Sequence, residues 1–225
     1  MNRAAPWRCM LAEAVGTFGL VFAGTGAIVI DARTNGGVGH VGISLTFGLI
    51  VIAMIYTIGH ISGAHINRAV TLAFSAVRHF PRRLVPLYLL GQFSGAVVAS
   101  LLVRGLFGDV AALGATLPQG PAAQSFLLEF ILTFLLMFVI MAVATDVRAV
   151  GQAAAIAIGG TVGLEALFAG LISGASMNPV RSLAPALVSW TWNGQWLYVV
   201  GPMFGAVAGA FMYMLIRGQK VGEER

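Results

Sequence analysis

The segments Ile61-Ser62-Gly63-Ala64-His65-Ile66-Asn67 and Ile172-Ser173-Gly174-Ala175-Ser176-Met177-Asn178 agree at five of seven positions, including the run Ile-Ser-Gly-Ala and the closing Asn. Each leads into a moderately apolar stretch, 67–77 and 178–187, that is too short to cross a membrane. A helix of about ten residues covers roughly 15 Å, half of a hydrocarbon core of about 30 Å, so two of them meeting end to end make one pseudo-span. Upstream, Glu13-x-x-x-Thr17-Phe18 is echoed by Glu129-x-x-x-Thr133-Phe134. The chain therefore reads as two copies of one unit.

Working outward, apolar stretches run at about 9–30, 41–60, 84–107, 125–145, 152–172 and 196–216, separated by Gly, Pro, Asn, Asp or charged residues. Of the 225 residues, 58% are apolar and only 9% charged, which excludes an ordinary soluble domain. Six spans and two half-spans predict an all-α integral membrane fold in one channel domain, residues 1–225. Repeat one covers about 9–107 and repeat two about 125–217. Three full spans per repeat is an odd number, so the second copy is inverted. No length remains for a soluble enzyme domain.

The single cysteine, Cys9, has no partner for an internal disulfide or a thiolate metal site. The first apolar run, flanked by Arg3 and Arg8, imitates a secretory signal, yet Glu13 interrupts it and further spans follow, so it reads as the first membrane helix. The net charge of +5 reflects topology rather than nucleic acid or acidic partners. Arg3, Arg8, Arg78, Arg82, Arg83, Arg148, Arg217, Lys220 and Arg225 fall on one side, against Arg33 and Arg181 on the other, which predicts cytoplasmic termini.

Irregular backbone at membrane depth survives only where it is buried in protein or lines a water-filled cavity, so Ser62–Asn67 and Ser173–Asn178 point to a pore. Broken helices at a repeat interface mark the solute site in many transport folds. Asn67 and Asn178 can each cap a half-helix with the side-chain oxygen and turn the amide hydrogens toward the pore. The two helix N-termini, each worth about half a positive charge, then face one another near the midplane and disfavour cations. Glu13 and Glu129 hold equivalent repeat positions and read as acceptors for the amides of the two loops, which need partners at depth.

The stretches Ser62–Thr71 and Ser173–Ser182 resemble the paired Asn-Pro-Ala signatures of the aquaporin superfamily, the major intrinsic proteins. The resemblance covers essentially the whole chain. Phe168-Ala169-Gly170 followed by Ile172–Pro179 most resembles its nodulin-26-like branch, which is associated with glycerol and with metalloid acids such as arsenous and boric acid. The resemblance implies a passive channel with no cofactor, a homotetramer with one pore per subunit, and a cell (inner or plasma) membrane location among lipid. It also implies proton and cation exclusion by the paired half-helices, a behaviour for which this family is the standard example.

Carried over by motif, the family's narrow filter falls on Phe47, Ala166, Ala175 and Arg181. Asn67, Arg68 and Ala69 stand at the first signature, and Asn178, Pro179 and Val180 at the second. Water-selective relatives usually place His where this chain has Ala166, so the filter is expected to be wider than a water-only pore. Val180 in place of the signature alanine resembles some boric-acid-permeable members. Arg68 departs most, since proline suits a first helical position and arginine brings a charge to an already positive end. Two readings stand for it: the stem packs in place of proline with the head on a carbonyl or in the vestibule, or the residue narrows or gates the pore.

Intramembrane acids are functional suspects, and a proton-coupled transporter is the competing class. Glu165 turns about 100° from the filter direction and leaves open a bond to a loop, a charge partner for Arg181, or plain packing. His65 reads as a loop-stabilising hydrogen bond, with pH gating as its alternative. No metal or nucleophile constellation suggests an enzyme.

Overall fold

A computed structural model describes residues 5–145 and 153–217. Arg3, Arg148, Lys220 and Arg225 lie outside the described residues, and Arg8, Arg78, Arg82, Arg83 and Arg217 lie within them. The chain folds into α1 (Pro6–Arg33), α2 (Gly39–Ser62), α3 (Arg68–Ala76), α4 (Val85–Phe107), α5 (Ala122–Thr145), α6 (Ala154–Ser173), α7 (Pro179–Ser189) and α8 (Leu197–Arg217). Six of these are long and apolar enough to cross a bilayer, α4 together with the 3-10 turn Arg82–Leu84 before it, and no strand occurs among the described residues. The two short helices have 9 and 11 residues. Each follows an irregular loop, as the repeated sequence predicted.

The bundle buries polar and charged side chains within an apolar core and presents large apolar residues outward. Glu13, Thr17, Ser44, Gln92, Ser100, Glu129 and Glu165 are buried, whereas Leu45, Leu49, Leu106, Leu164, Leu171, Phe204 and Leu215 are exposed. That apolar exterior suits a hydrocarbon surround, and the chain is a multi-pass membrane protein.

Within repeat one α1 packs on α4, and within repeat two α5 packs on α8. Both seams use glycine. A Cβ at Gly91 or Gly95 would strike the carbonyls of Met10 and Ala14, and one at Gly205 or Gly209 those of Phe130 and Phe134. Small residues at this spacing bring helix backbones into contact. A third seam, α2 on α6, joins the repeats through Gly48, Gly159 and Gly163, a pattern that the sequence reading had not singled out. This seam sets the distance between the two helices that carry Phe47 and Ala166.

Arg181, counted on the side opposite the termini, lies on no connecting loop. It sits inside α7 and is only 3% exposed. Arg104 joins Arg33 at that end instead, 3.3 Å from Asp109.

Candidate functional site: a pore between two half-helices

Each loop begins where a spanning helix ends on a left-handed glycine, Gly63 at φ 88° after α2 and Gly174 at φ 87° after α6. Left-handed backbone then recurs at non-glycine residues: Ala64 (φ 48°) and Ile66 (φ 42°) in one loop, Ala175 (φ 41°) and Met177 (φ 53°) in the other. Such conformations persist only when the surroundings over-determine them. The buried glutamates do so. Glu13 accepts hydrogen bonds from Ser62 Oγ (2.7 Å), His65 N (2.9 Å), Ile66 N (2.7 Å) and Gln92 Nε2 (2.8 Å). Glu129 accepts from Ser173 Oγ (2.8 Å), Ser176 N (2.9 Å) and Met177 N (2.8 Å). With these N–H groups drawn to the glutamates, the extended loops place backbone beside the cavity.

The asparagines do two jobs. Asn67 Oδ1 accepts from Ala69 N at 2.9 Å and Asn178 Oδ1 from Val180 N at 3.2 Å, capping α3 and α7. The amide nitrogens cross over, Asn67 Nδ2 donating to Met177 O and Asn178 Nδ2 to Ile66 O, both at 2.8 Å. An Asn amide has two hydrogens, so one of each ties the loops together and one is left over. This amends the sequence expectation, in which the amide hydrogens served the pore alone.

Between the repeats lies a cavity of about 750 Å³, walled by Phe47, Ala166, Ala175 and Arg181 and by both asparagines, with His60 and Ala154 also on its lining. All four expected filter residues are thus brought together. Arg181 Nη1 donates to Gly114 O at 2.8 Å, and the guanidinium carbon sits 4.8 Å from the centre of the Phe47 ring. Gly114 ends a tight turn whose three preceding residues, Ala111, Ala112 and Leu113, are all left-handed. No sequence signal marked this turn, because alanine and leucine do not favour that backbone.

The family model described as "Major intrinsic protein" matches residues 1–213. The chain belongs to the major intrinsic protein family. Aquaporin NIP1-3 of Oryza sativa subsp. japonica is 51% identical over 209 residues, covering 92% of this chain and 73% of the relative. Aquaporin NIP2-1 of Zea mays is 48% identical over 208 residues, covering 92% and 70%. Among solved structures, the aquaglyceroporin from Plasmodium falciparum superposes with a TM-score of 0.82 at 28% identity, covering 93% of this chain and 96% of that one. As a major intrinsic protein, the chain is a channel for small neutral solutes and water and not an enzyme.

The remaining signature residues of this intrinsic protein do not touch its cavity. Ala69 and Val180 contribute backbone N–H groups to the asparagine caps. The Val180 side chain packs with Val21, Ala96, Ala99 and Ala184, so its added methyls fill space behind α7 and do not shape the lumen. Pro179 occupies the first turn of α7. Arg68 turns toward α4: Nη2 donates to Leu89 O at 3.4 Å, the guanidinium carbon lies 4.9 Å from the Phe93 ring centre, and Nε is buried without a partner. The side chain is absent from the cavity wall.

His65 lines the cavity, with Nδ1 3.0 Å from Thr71 Oγ1 and its ring among Phe74, Phe80 and Tyr88. Tyr88 donates to Ser62 O at 2.6 Å, a support missed in the sequence because α4 gives no hint of it. Glu165 is 2% exposed, and neither carboxyl oxygen has a hydrogen-bond partner. Of the three readings open for it, neither a hydrogen bond to a loop nor one to Arg181 is made, which leaves packing between helices.

Proposed function

We propose that this channel passes uncharged solutes larger than water, with glycerol, arsenous acid and boric acid as candidates, together with water. The observation that carries the reading is the filter itself. Two of its four walls are alanines, Ala166 and Ala175, facing one aromatic ring and one arginine. A histidine at position 166 would add bulk and a ring donor, and alanine adds neither. The likeness to the Plasmodium falciparum protein, an aquaglyceroporin, supports the same solute class.

A solute sheds water as it passes Phe47 and Arg181. Arg181 is anchored through Nη1, and its other donors meet the solute's oxygens, a fixed positive fork that favours neutral acceptors over cations. The solute then moves in single file along the loop backbone and past the second amide hydrogens of Asn67 and Asn178. The N-termini of α3 and α7 point at this stretch and oppose cations, hydronium included. Glu13 and Glu129 serve the loops. Their carboxylates are occupied by three or four donors each, which leaves them unsuited to carrying protons and supports passive flow over proton coupling.

The chain works as one channel domain, with one pore in each subunit of a homotetramer in the cell membrane and both termini in the cytoplasm. The test is stopped-flow light scattering on proteoliposomes challenged with an impermeant osmolyte, glycerol and boric acid, with arsenite uptake in parallel. Glycerol or metalloid entry above that of protein-free vesicles is expected. Water flux with every solute excluded would overturn the assignment.

A further inference from the structure

Gly24 lies buried in α1, one turn beyond Leu20, which lines the cavity. A Cβ built on Gly24 would collide with Cδ1, Cε1 and Cζ of Phe47, one whole edge of the ring. The glycines of the α1–α4 and α5–α8 seams behave differently. At Gly91, Gly95, Gly205 and Gly209 the nearest atom is a backbone carbonyl of the neighbouring helix, so those glycines serve helix approach. At Gly24 all three nearest atoms belong to one side chain, and that side chain is a filter wall.

We infer that Gly24 is a specificity-determining position: its bare Cα is the seat that holds the Phe47 ring back from the lumen. The inference rests on the reading of Phe47 as part of the filter. The ring is bounded on one edge by Gly24 and faced by the Arg181 guanidinium at 4.8 Å. A methyl at position 24 closes the space behind the ring and Arg181 already stands against it, so the remaining room is the cavity that the ring lines. Interiors are too tightly packed to absorb a methyl in place, so the ring must move. The seat is peculiar to this end of the pore. The residue that stands to Glu129 as Gly24 stands to Glu13 is Ile140, whose side chain lines the cavity directly. Gly24 therefore acts through Phe47, as a positioning residue.

The experiment is a cycle of Gly24→Ala, Phe47→Leu and the double variant, in proteoliposomes at equal protein load, with glycerol and water flux both measured. In the parent, Gly24→Ala is expected to lower glycerol flux about tenfold, the low end of what one misfitted methyl costs in a fitted pocket. Water flux should fall less, so the glycerol-to-water ratio drops. In the Phe47→Leu background the same change is expected to leave glycerol flux within about twofold, a non-additivity that signals direct contact. Equal losses of water and glycerol in the parent, or the same loss with Leu at position 47, would overturn the inference. A parent that admits no glycerol would instead sink the proposed solute class. The cycle is then read on water flux, where coupling between the two positions upholds the role of Gly24 and additivity ends it.

Discussion

In the first half-helix loop Glu13 accepts four hydrogen bonds, and in the second Glu129 accepts three. The difference traces to one residue. Gln92 lies one position after Gly91 in α4 and supplies the fourth donor to Glu13, while the residue one position after Gly201 in α8 is Pro202, which has none to give. The bonds beside the loops diverge as well. His65 meets Thr71 within a cage of three aromatic rings, whereas Ser176 meets Ser182 in a hydroxyl chain that runs on to Thr116. Arg68 begins one half-helix and Pro179 the other. Yet the left-handed residues recur at equivalent places, and so do the crossed asparagine bonds. The comparison teaches that a glutamate behind each loop and an asparagine at its end are enough to dictate the backbone. The residues around them are free to differ.

The largest effect that can test this is removal of the glutamates. Glu13→Ala and Glu129→Ala each strand buried N–H groups whose bonds to a charged acceptor are worth about 1.5–3 kcal/mol apiece. Both are expected to prevent recovery of folded protein on size exclusion in detergent. Glu129→Gln, with fewer donors to disappoint, should be recovered in better yield than Glu13→Gln. The reverse order would break the link between donor count and loop stability.

Next come the asparagines. Asn67→Ala and Asn178→Ala each lose a cap worth about 1–2 kcal/mol, together with a tie to the opposite loop. Because the crossed bonds are matched at 2.8 Å, the two variants should lower the thermal midpoint of the purified protein by similar amounts. A loss confined to one of them would show that the loops are not mutually braced.

Glu165 sharpens the contrast from the other direction. It has two unpartnered oxygens, and the residue placed relative to Ser62 as Glu165 is to Ser173 is Met54. A buried polar group left without a hydrogen-bond partner costs about 1–3 kcal/mol, and an apolar residue of similar volume avoids that cost. Glu165→Met is expected to raise the thermal midpoint with flux retained. A fall in stability would reveal a partner for Glu165 that the geometry does not contain.

The smallest effect belongs to Arg68. Its head lies on Leu89 O and Phe93, outside the cavity wall. Arg68→Pro should therefore leave water and glycerol flux within about twofold, with a slight gain in stability from the preset first turn. A large change in either flux would restore the reading in which Arg68 gates the pore.

Much of this was legible in the sequence for a physical reason: a bilayer demands length and apolarity from every span, and a broken helix demands partners. The six spans, both half-helices, the duties of Glu13 and Glu129 and the capping by Asn67 and Asn178 follow from those demands, whereas the crossed asparagine ties do not. What stayed hidden depends on contacts between residues far apart in the chain. Nothing near Gly114 announces that its carbonyl will hold Arg181, and nothing in α4 singles out Tyr88 or Gln92 as supports for a loop begun at Ser62. Gly24 reads as one more helix-packing glycine until Phe47 is seen against it. Arg68 and Val180 were conspicuous as departures from a motif, and both turn away from the lumen.

The most direct test of the central claim, a filter opened by its two alanine walls, is glycerol and water flux through proteoliposomes of the parent and of Ala166→His. The account predicts glycerol entry through the parent well above protein-free vesicles, and loss of that entry with water flux preserved when histidine fills the wall. Glycerol flux through the parent no greater than through empty vesicles would contradict it.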